Sequence, residues 1–260
     1  MEAFEYGFRH ILVDRPHPGV VLFTLNRPER MNATNAALHT ELAALPRLFD
    51  RDGEACVAVI TGAGRAFCVG GDYDEVAGDD YAYKVRAMRE TIEIVQGIAD
   101  ARKPLISAIN GPAAGAGLAV ALLADISVAS EEANLSDGHA RIGLAAGDHA
   151  ALIWPLLCGM AKAKRYLLTA DKLTGREAER IGLVSECAPV GEVVPRALEL
   201  ARLLASRPPL AVELTKRALN GWLRQAMPMF EASLGYEMVT AFNPDLAAIV
   251  AEASGAAAST

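Results

Sequence analysis

An α/β fold with largely parallel strands and a helical last third is what this sequence predicts. Over the first two-thirds, apolar strand-like runs end in glycine turns and give way to helical spacing, repeatedly. After about residue 196 no convincing strand follows. Between residues 109 and 126, "INGPAAGAGLAVALLADI" sets three glycines and a proline directly before a run of small apolar residues. That is a turn feeding a buried helix.

The elements follow in order. "ILVDRPHPGVVLFTLNRP" reads as two strands around a turn, with Val20 to Leu25 β-branched and aromatic and Pro16 and Pro18-Gly19 breaking the chain. Leu38, Leu42, Leu45 and Phe49 recur at helical spacing, with Asn32, Thr34 and Asn35 as candidate caps. "CVAVITGAG" is a buried strand entering a glycine turn. Val85, Met88, Ile92, Val95 and Ala99 mark one helix face. "KPLISAING" is a second buried strand with its glycine turn, and "DISVAS" a third strand. "PRALELARLLASRP", "LAVELTKRALNGW" and "PMFEASLGYEMVTAF" are helical patterns separated by Pro and Gly. This divides the chain into a core domain, 1–195, and a helical region, 196–260, with "ASGAAAST" expected to fray at the end.

Composition narrows the function. The chain has 260 residues, 52% of them hydrophobic, enough for a sizeable core. Lys plus Arg number 25 and Asp plus Glu 32, a net −7 with no basic block. Nucleic acid and anionic membranes are therefore poor partners. Cys56, Cys68, Cys158 and Cys187 show no metal-site spacing, so reduced thiols in a cytoplasm are expected, with no metal site and no disulfides. No basic-then-apolar leader opens the sequence. The apolar stretch "LISAINGPAAGAGLAVALLADISVA" is long enough to suggest a membrane span, but its Pro and glycines favour strand, turn and short core helix.

Two glycine turns, "TGAGRAFCVGGDYDE" (61–75) and "NGPAAGAGLA" (110–119), follow buried strands. A dinucleotide fingerprint fails, because Phe67 stands where the third glycine is needed after Gly62 and Gly64. A P-loop fails for want of Gly-Lys-Ser/Thr. Exposed backbone can instead form an oxyanion hole, two N–H groups from separate loops meeting one carbonyl oxygen. Gly71 would allow close approach on the first loop. The helix after Gly115 offers first-turn N–H groups at its positive dipole end.

Several segments together resemble the crotonase superfamily, the enoyl-CoA hydratase/isomerase family. They are "LNRPERMNA" (25–33), "VAVITGAGRAFCVGGDYDEV" (57–76), "PLISAINGPAAGAGLAVALLADISVASEEA" (104–133), "RYLLTADKLTGREAERIGLVSECAP" (165–189) and "LAVELTKRALN" (210–220). The resemblance implies a crotonase-like spiral of ββα units, a C-terminal helical trimerisation region, a homotrimer or hexamer, and a place in fatty-acid metabolism. It implies an acyl-CoA substrate and no prosthetic group, coenzyme A being part of the thioester. By motif position the oxyanion donors are the amides of Gly71 and Ala116. Coenzyme A would run along Arg27, Arg30, Ala33, Ala66, Asp72, Tyr73 and Asp74, although each arginine could equally be a solvated surface charge.

The sequence departs from the family where hydratases carry two glutamates. Ala119 occupies one of those positions and His139 the other. His139, with an ordinary pKa of about 6.5, can serve as acid or base near neutrality. Asp137 and Asp148 are close enough in sequence to orient it or to act directly. His149 and Trp154 are weaker candidates, Trp154 reading as core. The family's C-terminal basic residue is not evident, and Lys216 or Arg217 could replace it. Hydration of a 2-enoyl-CoA is the expected reaction. A His-assisted hydrolase, an isomerase of the same family, or a CoA-thioester-binding protein without catalysis are the alternatives.

Overall fold

The computed structural model describes residues 4–76, 78 and 80–258; the side chains of Asp74 and of residues 254–258 lie outside that description. The strands and helices are, in chain order, β1 (Ile11–His17), β2 (Gly19–Leu25), α1 (Ala36–Arg51), β3 (Ala55–Gly62), α2 (Tyr73–Val76), α3 (Tyr81–Asp100), β4 (Leu105–Ile109), β5 (Ala113–Ala114) and α4 (Gly115–Leu123). They continue with β6 (Ile126–Ser130), β7 (Asn134–Ser136), α5 (Ala150–Thr169), β8 (Leu173–Thr174), α6 (Gly175–Arg180), β9 (Glu186–Ala188), α7 (Val193–Ala205), α8 (Pro209–Leu219), α9 (Gly221–Ala241) and α10 (Leu246–Ala258). Short 3₁₀ turns cover Pro28–Arg30 and His139–Ile142.

One six-stranded sheet has the order β1-β2-β3-β4-β6-β9. Only its β1–β2 hairpin is antiparallel; the other neighbours pair in parallel. A parallel ladder needs a crossover, and helices supply it. β3 and β4 are buried along nearly their whole length, as strands covered on both faces must be. A second, shorter ladder joins β5, β7 and β8. Isolated bridges from Thr34 to Gly71 and from Cys68 to Ala113 extend it. The chain thus lays a strand in the large sheet, a short one in the second ladder, and then a helix. That repeat is the spiral.

The expected elements before residue 131 are present. Asn35 caps α1, its side chain accepting from Leu38 N at 3.0 Å. The apolar stretch after residue 104 divides into β4, β5, α4 and β6. Among the described residues no helix is long and apolar enough to cross a membrane.

Three features differ from expectation. The 195/196 boundary falls inside α7, whose Val193, Ala197 and Ala201 pack with Val57, Val59 and Ile106 on the sheet. Pro228 does not break the helix: α9 runs through it from Gly221 to Ala241. The end of the chain is helical to Ala258 rather than frayed, while Ser259 and Thr260 lie outside the described residues.

Candidate active site

The two glycine turns lie against each other. Cys68 N donates to Pro112 O at 3.3 Å, and Ala114 N donates to Cys68 O at 2.9 Å. Gly117, in the first turn of α4, makes this possible. A Cβ there would fall 2.4 Å from Cys68 O, so any side chain would wedge the loops apart. On the other flank Thr34 N donates to Gly70 O at 2.8 Å and Asp72 N donates to Thr34 O at 3.0 Å. In such a parallel bridge the N–H of Gly71 itself faces away from Thr34. Ala116 sits in the opening turn of α4, where backbone N–H groups have no intrahelical acceptor. Both residues line one cleft of about 170 Å³.

The same cleft receives His139, Asp148 and Tyr73. His139 begins the turn after β7 and is 8% exposed. Its Nδ1 lies 2.9 Å from Asp137 Oδ1, which also accepts from the His139 backbone N–H. Its Nε2 lies 3.8 Å from Asp148 Oδ2 and 3.7 Å from Glu237 Oε1. Asp148 Oδ1 is held by His149 Nδ1 at 2.6 Å. Asp137 stands behind His139 rather than in the wall. Trp154 is wholly enclosed and meets Tyr166 at 6.3 Å between ring centroids, which makes it core.

Glu237 is the residue that the sequence reading missed. It reaches the cleft from α9, in the stretch read as an assembly region. The junction is close: a Cβ on Gly147 would lie 2.3 Å from Ser233 O and 2.7 Å from Glu237 Cβ. Ser233 Oγ donates to Gly147 O at 2.9 Å, and Ala145 N donates to Thr240 Oγ1 at 3.0 Å. Phe230, Ser233 and Leu234 are buried on α9, and Glu237 follows at the next step of the same stripe. That spacing was the available signal.

Burial and charge push these groups apart. Burial alone would lower His139, but Asp137, Asp148 and Glu237 outweigh it and raise it well above 6.5. Burial would raise Asp148, but His149 and His139 hold it below the usual carboxylate range. Glu237 is raised to about 8, chiefly by burial, with Asp148 and Asp137 adding to the shift and His139 opposing it. At neutral pH the cleft therefore holds an imidazolium, a carboxylate and a carboxylic acid.

Metal donors are grouped here too. One donor atom each from His139, Asp148 and Glu237 lie within 4.8 Å of one another, and likewise from Asp137, Asp148 and His149. A cation in the first group would have to displace the protons on His139 and Glu237.

The expected coenzyme strip is partly committed elsewhere. Arg27 donates to Ala33 O and lies 3.5 Å from Asp72 Oδ2. Ala66 O accepts from Asn32 Nδ2 at 2.9 Å. Arg30 is exposed, and Tyr73 is 45% exposed at the cleft. Asp74 lies in α2, and its side chain is outside the described residues. Lys216 is not available for a phosphate: it is buried, with Nζ 2.8 Å from Asp125 Oδ2 and 2.9 Å from Lys103 O. Arg217 is exposed.

A family model described as enoyl-CoA hydratase/isomerase matches residues 15–238. A probable enoyl-CoA hydratase of Rhodobacter capsulatus is 36% identical over 210 residues, 81% of this chain and 81% of that protein. The 1,2-epoxyphenylacetyl-CoA isomerase of Escherichia coli is 33% identical over 208 residues, 78% of this chain and 79% of that protein. The crystal structure of an enoyl-CoA hydratase/isomerase from Mycobacterium paratuberculosis matches with a TM-score of 0.90 and 36% identity, covering 95% of this chain and all (100%) of that one. The architecture is that of the crotonase class. The chain belongs to the enoyl-CoA hydratase/isomerase family.

Proposed function

We propose that this protein is an enzyme that adds water across the double bond of a 2-enoyl-CoA through an enolate held by the amides of Gly71 and Ala116. What supports the reading is one arrangement: an ionised Asp148 and a protonated Glu237 in the walls of the cleft that those two residues line. Two aimed amides stabilise the oxygen as charge develops on it. Asp148 takes the proton of the attacking water, and Glu237 delivers one to the α-carbon. His139, anchored by Asp137, is the cation that keeps Asp148 charged. Ala119 has no part in the chemistry. Coenzyme A enters with the substrate, past Arg27, Arg30, Ala33, Ala66, Asp72, Tyr73 and Asp74.

The test is a mixture of the protein with short 2-enoyl-CoAs, read by mass spectrometry. A product one water heavier is expected. A second reading, double-bond migration, draws on the similarity to a monofunctional enoyl-CoA isomerase of Mycobacterium smegmatis. It yields a product of unchanged mass in ordinary water and one carrying deuterium at the protonated carbon in heavy water. Neither change in any ester would remove both readings.

Glu237 must hold its proton to act as the acid. Turnover is therefore expected to fall as pH rises through about 8, the value to which burial lifts it. Glu237→Gln should lower turnover about 10²- to 10⁴-fold and abolish that alkaline limb. The folded state binds this proton more tightly than the unfolded chain does. Its contribution to stability is complete below the ordinary carboxylate range and is lost as pH rises through about 8. Thermal melts above that pH should show Glu237→Gln melting higher than the wild type.

We further propose that the protein assembles as a trimer or hexamer through the exposed apolar surface of α5, α8 and the start of α9. Trp222 and Leu219 are 66% and 64% exposed beside a groove of about 930 Å³ that Leu122, Leu156 and Val212 also line. Monomers rarely leave so much apolar surface in water. Sedimentation equilibrium is expected to give three or six chains; a monomer at micromolar concentration would count against it.

A further inference from the structure

His39 enters the cleft from α1, outside the His139, Asp148 and Glu237 group. Its Nδ1 lies 2.7 Å from Glu90 Oε2 on α3. Thr40 Oγ1 donates to Glu90 Oε1 at 2.6 Å, and Arg86 Nε stands 3.9 Å from the same oxygen. Burial would raise the Glu90 carboxyl, but hydrogen bonds from His39 and Thr40 hold it below its ordinary value. An ionised carboxylate can only accept, so Nδ1 carries the hydrogen. Nε2 is then the ring nitrogen left to bond a ligand. Among the described residues it has no protein partner, and it is not sealed off from the cleft.

The helix that holds Glu90 also forms cleft wall, through Tyr83, Ala87 and Thr91. The other polar groups of that wall are engaged. Thr91 Oγ1 donates to Ala87 O at 2.9 Å, and the Tyr83 hydroxyl is bonded to Glu75. A polar nitrogen in such a wall is costly to desolvate unless a bound molecule supplies a hydrogen-bond partner. A carboxylate on the acyl chain fits poorly, because it would meet the charges of Glu90 and Asp148. A hydroxyl, which can donate and accept, supplies a partner without charge. The volume, about 170 Å³, resembles that of an apolar cavity of roughly 150 Å³ known to take up benzene. The acyl group is then a short chain or a single ring.

We propose that His39, oriented by Glu90, hydrogen-bonds a hydroxyl on the acyl group, so that the preferred substrate is a short or single-ring hydroxylated acyl-CoA. The assignment rests on the acyl-CoA reading above and specifies its substrate class.

The experiment is calorimetric titration of the full chain with paired esters: 4-hydroxybenzoyl-CoA against benzoyl-CoA, and 6-hydroxyhexanoyl-CoA against hexanoyl-CoA. The wild type should favour at least one hydroxylated partner by roughly ten- to a hundredfold. His39→Leu should bring that ratio to about one. His39→Asn, which keeps an acceptor and serves also if the leucine variant does not fold, should restore part of it. Glu90→Gln, which frees the ring to adopt its other tautomer, should reduce it. A ring that merely ties α1 to α3 would weaken both members of a pair alike. Equal affinity within both pairs for the wild type, or a ratio unchanged in His39→Leu, overturns the proposal and leaves the acyl-CoA reading standing. No binding of any ester to the wild type overturns both.

Discussion

Asp148→Asn is expected to lower kcat/KM on a 2-enoyl-CoA by about 10²- to 10⁴-fold, the usual worth of a positioned acid or base. The substitution is close to isosteric. Asparagine Oδ1 can still accept from His149 Nδ1, which lies 2.6 Å from the native oxygen, so the buried packing has no reason to fail. What disappears is the charge. His139 loses one of the three carboxyls that raise it, and the cleft loses a carboxylate that is held ionised and faces His139 Nε2 across 3.8 Å. The check is steady-state kinetics beside a melting curve. A folded variant with wild-type turnover would end the assignment of Asp148 as the base, and attention would pass to His139.

The second large effect is expected from Gly117→Ala, which touches no reacting group. The new Cβ would lie 2.4 Å from Cys68 O and 2.5 Å from Cys68 Cβ, neither of them the far end of a flexible side chain. The two loops must separate or α4 must shift. Overpacking of this kind costs about 1–3 kcal/mol and can cost more. In a chain of this size about 1 kcal/mol moves the melting temperature by roughly 2–4 °C. Displacing Ala116 from the line of the thioester oxygen removes one donor, worth about 10²- to 10³-fold in kcat. Turnover should therefore fall further than the loss of stability explains. Equal kcat at a temperature where both proteins are folded would mean that the spacing of these loops does not matter to the reaction.

Much of the framework was legible because its signals are local. Asn35 before Leu38, Leu42, Leu45 and Phe49 announces a capped helix whose inner face is those four residues, and all four are buried in α1. The apolar runs of β3 and β4 and the glycine turns behind them are equally local. The short ladder was not legible. β5 and β8 are two residues each and β7 three, too brief for any period to emerge.

In the site, the cluster around His139 was accessible because Asp137, Asp148 and His149 lie within ten residues of it. His39 and Glu90 are 51 residues apart, and each alone looks like an ordinary polar position on a helix. Glu237 was missed because the segment 228–242 was read as an assembly helix, and nothing in the sequence says that the stripe of Phe230, Ser233, Leu234 and Glu237 faces the loop at Gly147. Lys216, read as a candidate for the coenzyme A phosphate, is instead buried against Asp125, where it ties α8 to the start of β4 through Leu105 N and Lys103 O.

The seating of Glu237 against Gly147 bears on the order in which a growing polypeptide becomes competent. Synthesis runs from the amino end, so both amide-bearing loops, His139 and Asp148 leave the ribosome well before residues 221–241 exist. On the proposed mechanism a partly made chain lacks its proton donor, and chemistry begins only once α9 has emerged and closed on the loop below it.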